Sequence, residues 1–284
     1  MPFMPTPLQN NVVIQNNTTG VVDYLKYEGS TLVASMTQDY GLGADWKIVA
    51  NTGSTLVAQN QKTGFVDFLG IGANGALNSS AMSSVPVPKI FGFAPDNGSF
   101  GSQLADGTID MLKFNTSTGA FTASSLVAGS AGLPKAVGIT AWASNTPSWA
   151  GITSVGLSGD VIQTQLANGQ VDVIGLGGNF NTGLNVNASF LVASSVGTPG
   201  IGDLNSNSTG VGFNYQNGAG TPQGLEATTM TAAGQIDLLY WDVGTPDVAN
   251  AGLLYASNML SGNYAGWSVV EAGAVVSSKV FPVT

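Results

Sequence analysis

The chain has no cysteine, no histidine and no arginine among its 284 residues. Disulfides, thiol nucleophiles, imidazole acid–base chemistry and the usual zinc ligands are therefore excluded together. Charge is scarce as well. Only 8% of residues are charged, and the bases are seven lysines spaced singly along the chain at positions 26, 47, 62, 89, 113, 135 and 279. Neutralising a phosphate backbone takes clustered cations, so no nucleic-acid partner is expected. No apolar run of about 18 residues occurs, which leaves no transmembrane helix to expect. Residues 1–11 lack a positive segment followed by an apolar one, so export would proceed without an N-terminal signal peptide.

What is present is apolar and rich in turn formers. Hydrophobic residues make up 43% of the chain, glycine occurs 39 times, and 16 acids against seven bases give a net charge of −9. Such a chain buries a large core and places its polar residues mainly where turns are needed. An acidic, weakly charged chain without cysteine or arginine matches secreted bacterial surface proteins by composition.

One phrase organises the sequence: Gly20-Val21-Val22-Asp23, Gly64-Phe65-Val66-Asp67, Gly107-Thr108-Ile109-Asp110, Gly169-Gln170-Val171-Asp172 and Gly234-Gln235-Ile236-Asp237. Two apolar residues follow each copy. Successive glycines lie 44, 43, 62 and 65 residues apart, a period that belongs to propeller blades or stacked arrays. Around the first copy the apolar pattern breaks into four short pieces, 12–15, 21–27, 31–36 and 46–50, separated by Asn-, Thr- and Gly-rich turns. Both faces of these strands carry apolar residues, as strands sandwiched between two neighbours require.

The expected fold is thus all-β: a five-bladed β-propeller of four-stranded antiparallel blades in a single domain spanning 1–284. The blades fall at 12–50, 54–94, 99–155, 160–215 and 224–273, and 274–284 forms an additional terminal strand. A β-solenoid is the alternative. A second phrase, in Leu32-Val33-Ala34-Ser35, Leu126-Val127-Ala128, Leu191-Val192-Ala193-Ser194 and Leu254-Tyr255-Ala256-Ser257, is expected on the third strand of a tightly packed blade. Gln15, Gln59, Gln103 and Gln165 precede the repeat glycine by four or five residues and are read as buried groups bonding backbone where blades meet.

The run Trp46-Lys47-Ile48-Val49-Ala50, then Gln59-Asn60, then Gly64-Phe65-Val66-Asp67 resembles the bacterial FG-GAP or VCBS repeats, and the likeness extends in degenerate form over nearly the whole chain. The resemblance implies a β-propeller of the kind found in exported surface proteins. It also implies calcium loops of alternating Asp and Asn, which most of these repeats have lost. One remnant survives, where Asp203, Asn205 and Asn207 offer a carboxylate and two amide oxygens for a calcium ion. No other cofactor is expected.

The five repeat aspartates are read as structural because they recur at equivalent positions. With no asymmetric polar cluster in view, the chain is expected not to be an enzyme but an extracellular or cell-surface structural or adhesive protein that assembles with copies of itself. Two alternatives stand. A lectin would bind glycans on repeated blades, with Trp46, Tyr240, Trp241 or Tyr255 stacking on sugars. A glycoside hydrolase would use carboxylates alone, drawn from Asp23, Asp67 and Asp110.

Overall fold

The computed structural model describes residues 9–51, 55–94, 98–141, 160–179, 182–203, 224–242 and 253–272. Among them lie twenty strands, short 3-10 turns at Ala73–Gly75 and Ala193–Ser195, and no α-helix. The strands form meanders in chain order. The first contains β1 (Gln9–Asn16), β2 (Val22–Glu28) and β3 (Thr31–Gln38). The second is β4 (Trp46–Asn51), β5 (Thr55–Asn60), β6 (Val66–Ile71) and β7 (Leu77–Met82). The third is β8 (Ile90–Ala94), β9 (Ser99–Gln103), β10 (Ile109–Asn115) and β11 (Ala120–Ala128). The fourth comprises β12 (Ala136–Ala141), β13 (Asp160–Gln165), β14 (Val171–Asn179) and β15 (Gly183–Leu191). The fifth comprises β16 (Ile201–Asp203), β17 (Gly224–Met230), β18 (Ile236–Asp242) and β19 (Leu253–Met259), and β20 (Trp267–Ala272) follows.

β20 returns to the start of the chain. It pairs antiparallel with β1, Val12 opposite Ala272 and Asn16 opposite Trp267, giving the sheet β20-β1-β2-β3. The second and fifth meanders are separate four-stranded sheets, and the third and fourth join into one eight-stranded sheet through a short parallel bridge between β11 and β15. The innermost strands approach one another in a cycle: β20 lies near β4, β4 near β8, β8 near β12, β12 near β16, and β16 near β20.

This arrangement corrects the phase of the repeat. The Trp46 strand begins the second meander instead of ending the first, so every boundary proposed from sequence moves by one strand, and both chain ends share one sheet. Period alone does not say where a repeat is cut. A second correction concerns the blade placed at 99–155: Ala136–Ala141, inside those bounds, is the innermost strand of the fourth meander. The terminal strand expected at 274–284 lies outside the described residues.

The cores lie between meanders. Leu56, Ala58 and Leu69 pack with Val13, Val22 and Tyr24 of the first meander, whereas Val57, Val66 and Phe68 pack with Phe100, Leu112 and Phe114 of the third. Alternate residues of one strand therefore enter different cores, which is why neither face reads as polar. The rings of Phe68, Phe100 and Phe114 meet at centroid distances of 5.4–5.9 Å in tilted and edge-on geometry. The outermost strands are half open: Val33 is 45% and Leu126 57% exposed. The phrase expected in a tightly packed third strand thus sits on the least covered strand. It also falls at different registers, Leu32 opposite Tyr27 but Leu126 opposite Asp110.

Each repeat glycine makes a tight contact at a junction. Gly20, Gly64, Gly107, Gly169 and Gly234 all have φ between +78° and +89°. At each, an added Cβ would lie within 3 Å of backbone in the loop that leads to the next innermost strand, for Gly64 only 2.7 Å from the Val87 carbonyl oxygen. Two separate physical demands therefore select glycine. Gly41 supplies the control, since its φ is +72° and nothing lies within 4 Å of the place a Cβ would take. Urea denaturation should show Gly41→Ala costing about 1–2 kcal/mol, the backbone penalty alone, and Gly64→Ala about 3 kcal/mol or more. Equal costs would show that the close approach is unimportant.

Candidate functional site

The junctions are closed by the four glutamines. Gln59 is 2% exposed, and its amide Nε2 donates to the carbonyls of Val87 at 3.1 Å and Pro88 at 2.9 Å, while its Oε1 accepts from the Ile90 N–H at 2.9 Å. The bonds run from β5 to the loop and first residue of the next innermost strand. Gln103 repeats the pattern with Leu133, Pro134 and Ala136, and Gln165 with Thr198, Pro199 and Ile201. Gln15 does the same with the Trp46 carbonyl and the Ile48 N–H. A carboxamide suits this task because it presents donor and acceptor side by side without a charge to desolvate.

The fifth junction lacks this staple. Gln15 pairs with Val22, Gln59 with Val66, Gln103 with Ile109 and Gln165 with Val171; the residue opposite the matching Ile236 is Met230. A thioether cannot make these bonds. Here the seam is held by other groups: the Tyr27 hydroxyl donates to the Ser261 carbonyl at 3.1 Å and meets the Tyr264 hydroxyl at 3.0 Å, and Ser261 Oγ accepts from the Leu32 N–H at 2.9 Å. Burial raises the Tyr27 pKa, so this hydroxyl stays protonated. Beside the seam opens a cleft of about 330 Å³, bounded by Gly200, Met230, Gly234, Tyr264, Trp267 and Ser268.

The repeat aspartates stand one to a meander, on the strand next to the outermost. Ser80 Oγ bonds both carboxylate oxygens of Asp67 at 2.8 and 2.9 Å, and Ser257 Oγ does the same for Asp237. The partners of these two are thus hydroxyls of the outermost strand. Asp23 and Asp110 each keep one carboxylate oxygen, Oδ1, buried without a partner. Desolvation raises the pKa of both, opposed by bonds from Thr37 and Met36 to Asp23 and from Ser125 and Ser124 to Asp110.

Of the proposed calcium ligands, Asp203 is the last residue of β16, and Asn205 and Asn207 lie outside the described residues. Among the described residues no group of three or more His, Cys, Asp or Glu converges as a metal site. Trp46 is half-buried against the core between the first two meanders. Tyr240 and Trp241 fall on β18 and Tyr255 on β19, with side chains outside the described set. No described helix is long and apolar enough to cross a membrane.

The outermost strands share a composition that sequence reading had not singled out. β3, β7, β11, β15 and β19 read TLVASMTQ, LNSSAM, AFTASSLVA, GLNVNASFL and LLYASNM, without a single charged residue or proline. Each has a register shift against its inner neighbour. The signal was present in the sequence, but it becomes meaningful only once these strands are known to be edges.

No protein-family model matches the chain, and no curated protein matches it. Among solved structures, the chain is similar to the Dos1 propeller at 13% identity and a TM-score of 0.33, over 90% of this chain and 62% of that one. It is similar to apo AztD from Citrobacter koseri at 12% identity and a TM-score of 0.36, covering 90% of this chain and 84% of that one. A functionally unknown protein from Desulfotomaculum acetoxidans gives 11% identity and a TM-score of 0.38, with 86% and 78% covered. Likeness at this level assigns neither fold nor function.

The buried aspartates make a pH-dependent prediction. A carboxyl whose folded pKa is raised stabilises the fold when protonated; that contribution is full below its unfolded pKa, about 3.8, and is lost as pH rises through the folded value. Asp110→Asn should therefore have a higher Tm than the parent at pH 7, with the difference shrinking as pH falls toward 3.8. A lower Tm for the variant at pH 7 would mean that the ionised carboxylate contributes net stability through Ser124 and Ser125.

Proposed function

We propose that the chain is a five-bladed β-propeller of FG-GAP or VCBS type, and that it serves as a non-enzymatic, extracellular structural or adhesive component that associates with copies of itself. The cyclic order of the innermost strands, the shared first sheet and the intervening cores support the propeller over a solenoid. The separation of the repeat aspartates, each turned toward its own meander, favours a structural part for them over paired acid–base chemistry.

The observation that carries the function is the absence of charge and proline from the outermost strands, three of which, β3, β7 and β19, end their sheets as open edges. Edge strands present unpaired N–H and C=O groups, and proteins that must stay apart blunt them with lysine, proline or bulges. Here only the bulge remains. Val33, Leu77 and Met259, each 41–45% exposed, add apolar contact along those edges. Strand addition between copies satisfies the edge groups and covers these side chains at once.

Val33→Lys combined with Leu77→Lys places charge on two such edges at exposed positions, where a substitution alters the fold's own stability by less than about 0.5 kcal/mol. Sedimentation velocity should show concentration-dependent association of the parent protein and a shift toward monomer in the double variant, with Tm unchanged. A parent that remains monomeric at all concentrations and ionic strengths would remove the self-association reading.

A further inference from the structure

The cleft at the fifth junction differs from the other junctions in two ways that reinforce one another. Met230 takes the place of the stapling glutamine. On the innermost strand, the residue facing that position is Lys47 opposite Gln59, while the carbonyls of Lys89 and Lys135 accept the N–H groups of Gln103 and Gln165. The matching residues at the cleft are Ser268, opposite Gln15, and Gly200, which precedes Ile201 opposite Thr229. Three long cationic side chains thus surround the end of the ring of inner strands, and the short ones fall where the cleft opens.

A cation is linked to the cleft through one shared acceptor. Lys47 Nζ and Ser268 Oγ both donate to Asn17 Oδ1 at 2.8 Å, so a single amide oxygen connects the ammonium to the Ser268 hydroxyl that lines the cleft. The nearest acid in sequence, Asp45, is engaged by Lys62 at 2.9 Å. Tyr264 and Trp267, both half-buried, line it together with Met230 and the glycines of the junction. Small polar sites that read sugars combine aromatic surface with a few placed donors.

We propose that this cleft binds a pyranose-sized ring carrying a carboxylate, as in a uronic acid. The ring lies against Trp267 and Tyr264. The carboxylate receives the Lys47 ammonium and the Ser268 hydroxyl, both released from Asn17, in charge-assisted hydrogen bonds. The assignment does not depend on self-association, since binding can be read on monomers and assemblies alike.

Calorimetric titration of the full chain with galacturonic acid and, separately, with galactose tests it. Galacturonate should bind about 10-fold more tightly than galactose, and Lys47→Gln should reduce galacturonate to the level of galactose. Met230→Gln installs the missing carboxamide; it should raise the Tm and abolish galacturonate binding by tying the junction together as the other four are tied. Absence of saturable galacturonate binding to the folded parent at tens of millimolar overturns the proposal. Equal affinity for the two sugars, or galacturonate binding unchanged in Lys47→Gln, overturns the carboxylate assignment. Unchanged binding in a folded Met230→Gln variant overturns the cleft as the site.

Discussion

Each junction between meanders rests on a neutral hydrogen-bonding group, fully buried at Gln15 and Gln59 and half-buried at Gln103 and Gln165. At four of them a glutamine side chain ties one meander's second strand to the first strand of the next, satisfying one strand N–H and either two loop carbonyls (Gln59, Gln103, Gln165) or the Trp46 carbonyl (Gln15). The glycine a few residues later makes this geometry attainable, because any Cβ there would hold the loop away from the glutamine. The two residues act as a unit. Removing a buried glutamine would leave several backbone groups unpaired, each costing about 1–3 kcal/mol, so the recurrence of Gln and Gly follows from accounting for backbone hydrogen bonds.

The scarcity of charge follows from the same geometry. Strands two and three of each meander are covered on both faces, since alternate side chains enter cores shared with different neighbours. Little strand surface remains where a charge can stay solvated. The repeat aspartate is tolerated because it sits one strand from the edge and turns toward Ser80 or Ser257. The surface released by so few charges is occupied by Ser, Thr and Asn, which keep the outermost strands wet without making them repel one another.

Much of this architecture was legible in the chain. The Gly-x-[Val/Ile]-Asp phrase and its spacing gave the repeat, and the four glutamines were recognisable as junction groups. The phase was not legible, because the turn before Trp46 looks much like a hairpin turn and only pairing reveals that it joins two sheets. Closure was hidden for a related reason: Asn16 and Trp267 are partners across most of the chain. The candidate site could have been noticed as an exception, since five repeats carry only four glutamines. Its meaning required the register that places Met230, Ser268 and Gly200 at one junction.

Closure also orders events during folding. Meanders two to four have all their strands in sequence order, whereas the first remains without its innermost strand until β20 exists. Until then the β1 edge is unpaired, with Val12, Val13 and Ile14 lacking part of their cover. Long-range pairing of this kind is slow because it must overcome the entropy of closing a large loop. The fifth junction, which depends on that pairing, is also the one without a carboxamide. Its closure rests on the β1–β20 ladder, the Tyr27–Tyr264 contact and Ser261, groups that come together only when both chain ends are present. At the junction where Met230 stands in place of a carboxamide, a cleft opens beside the seam.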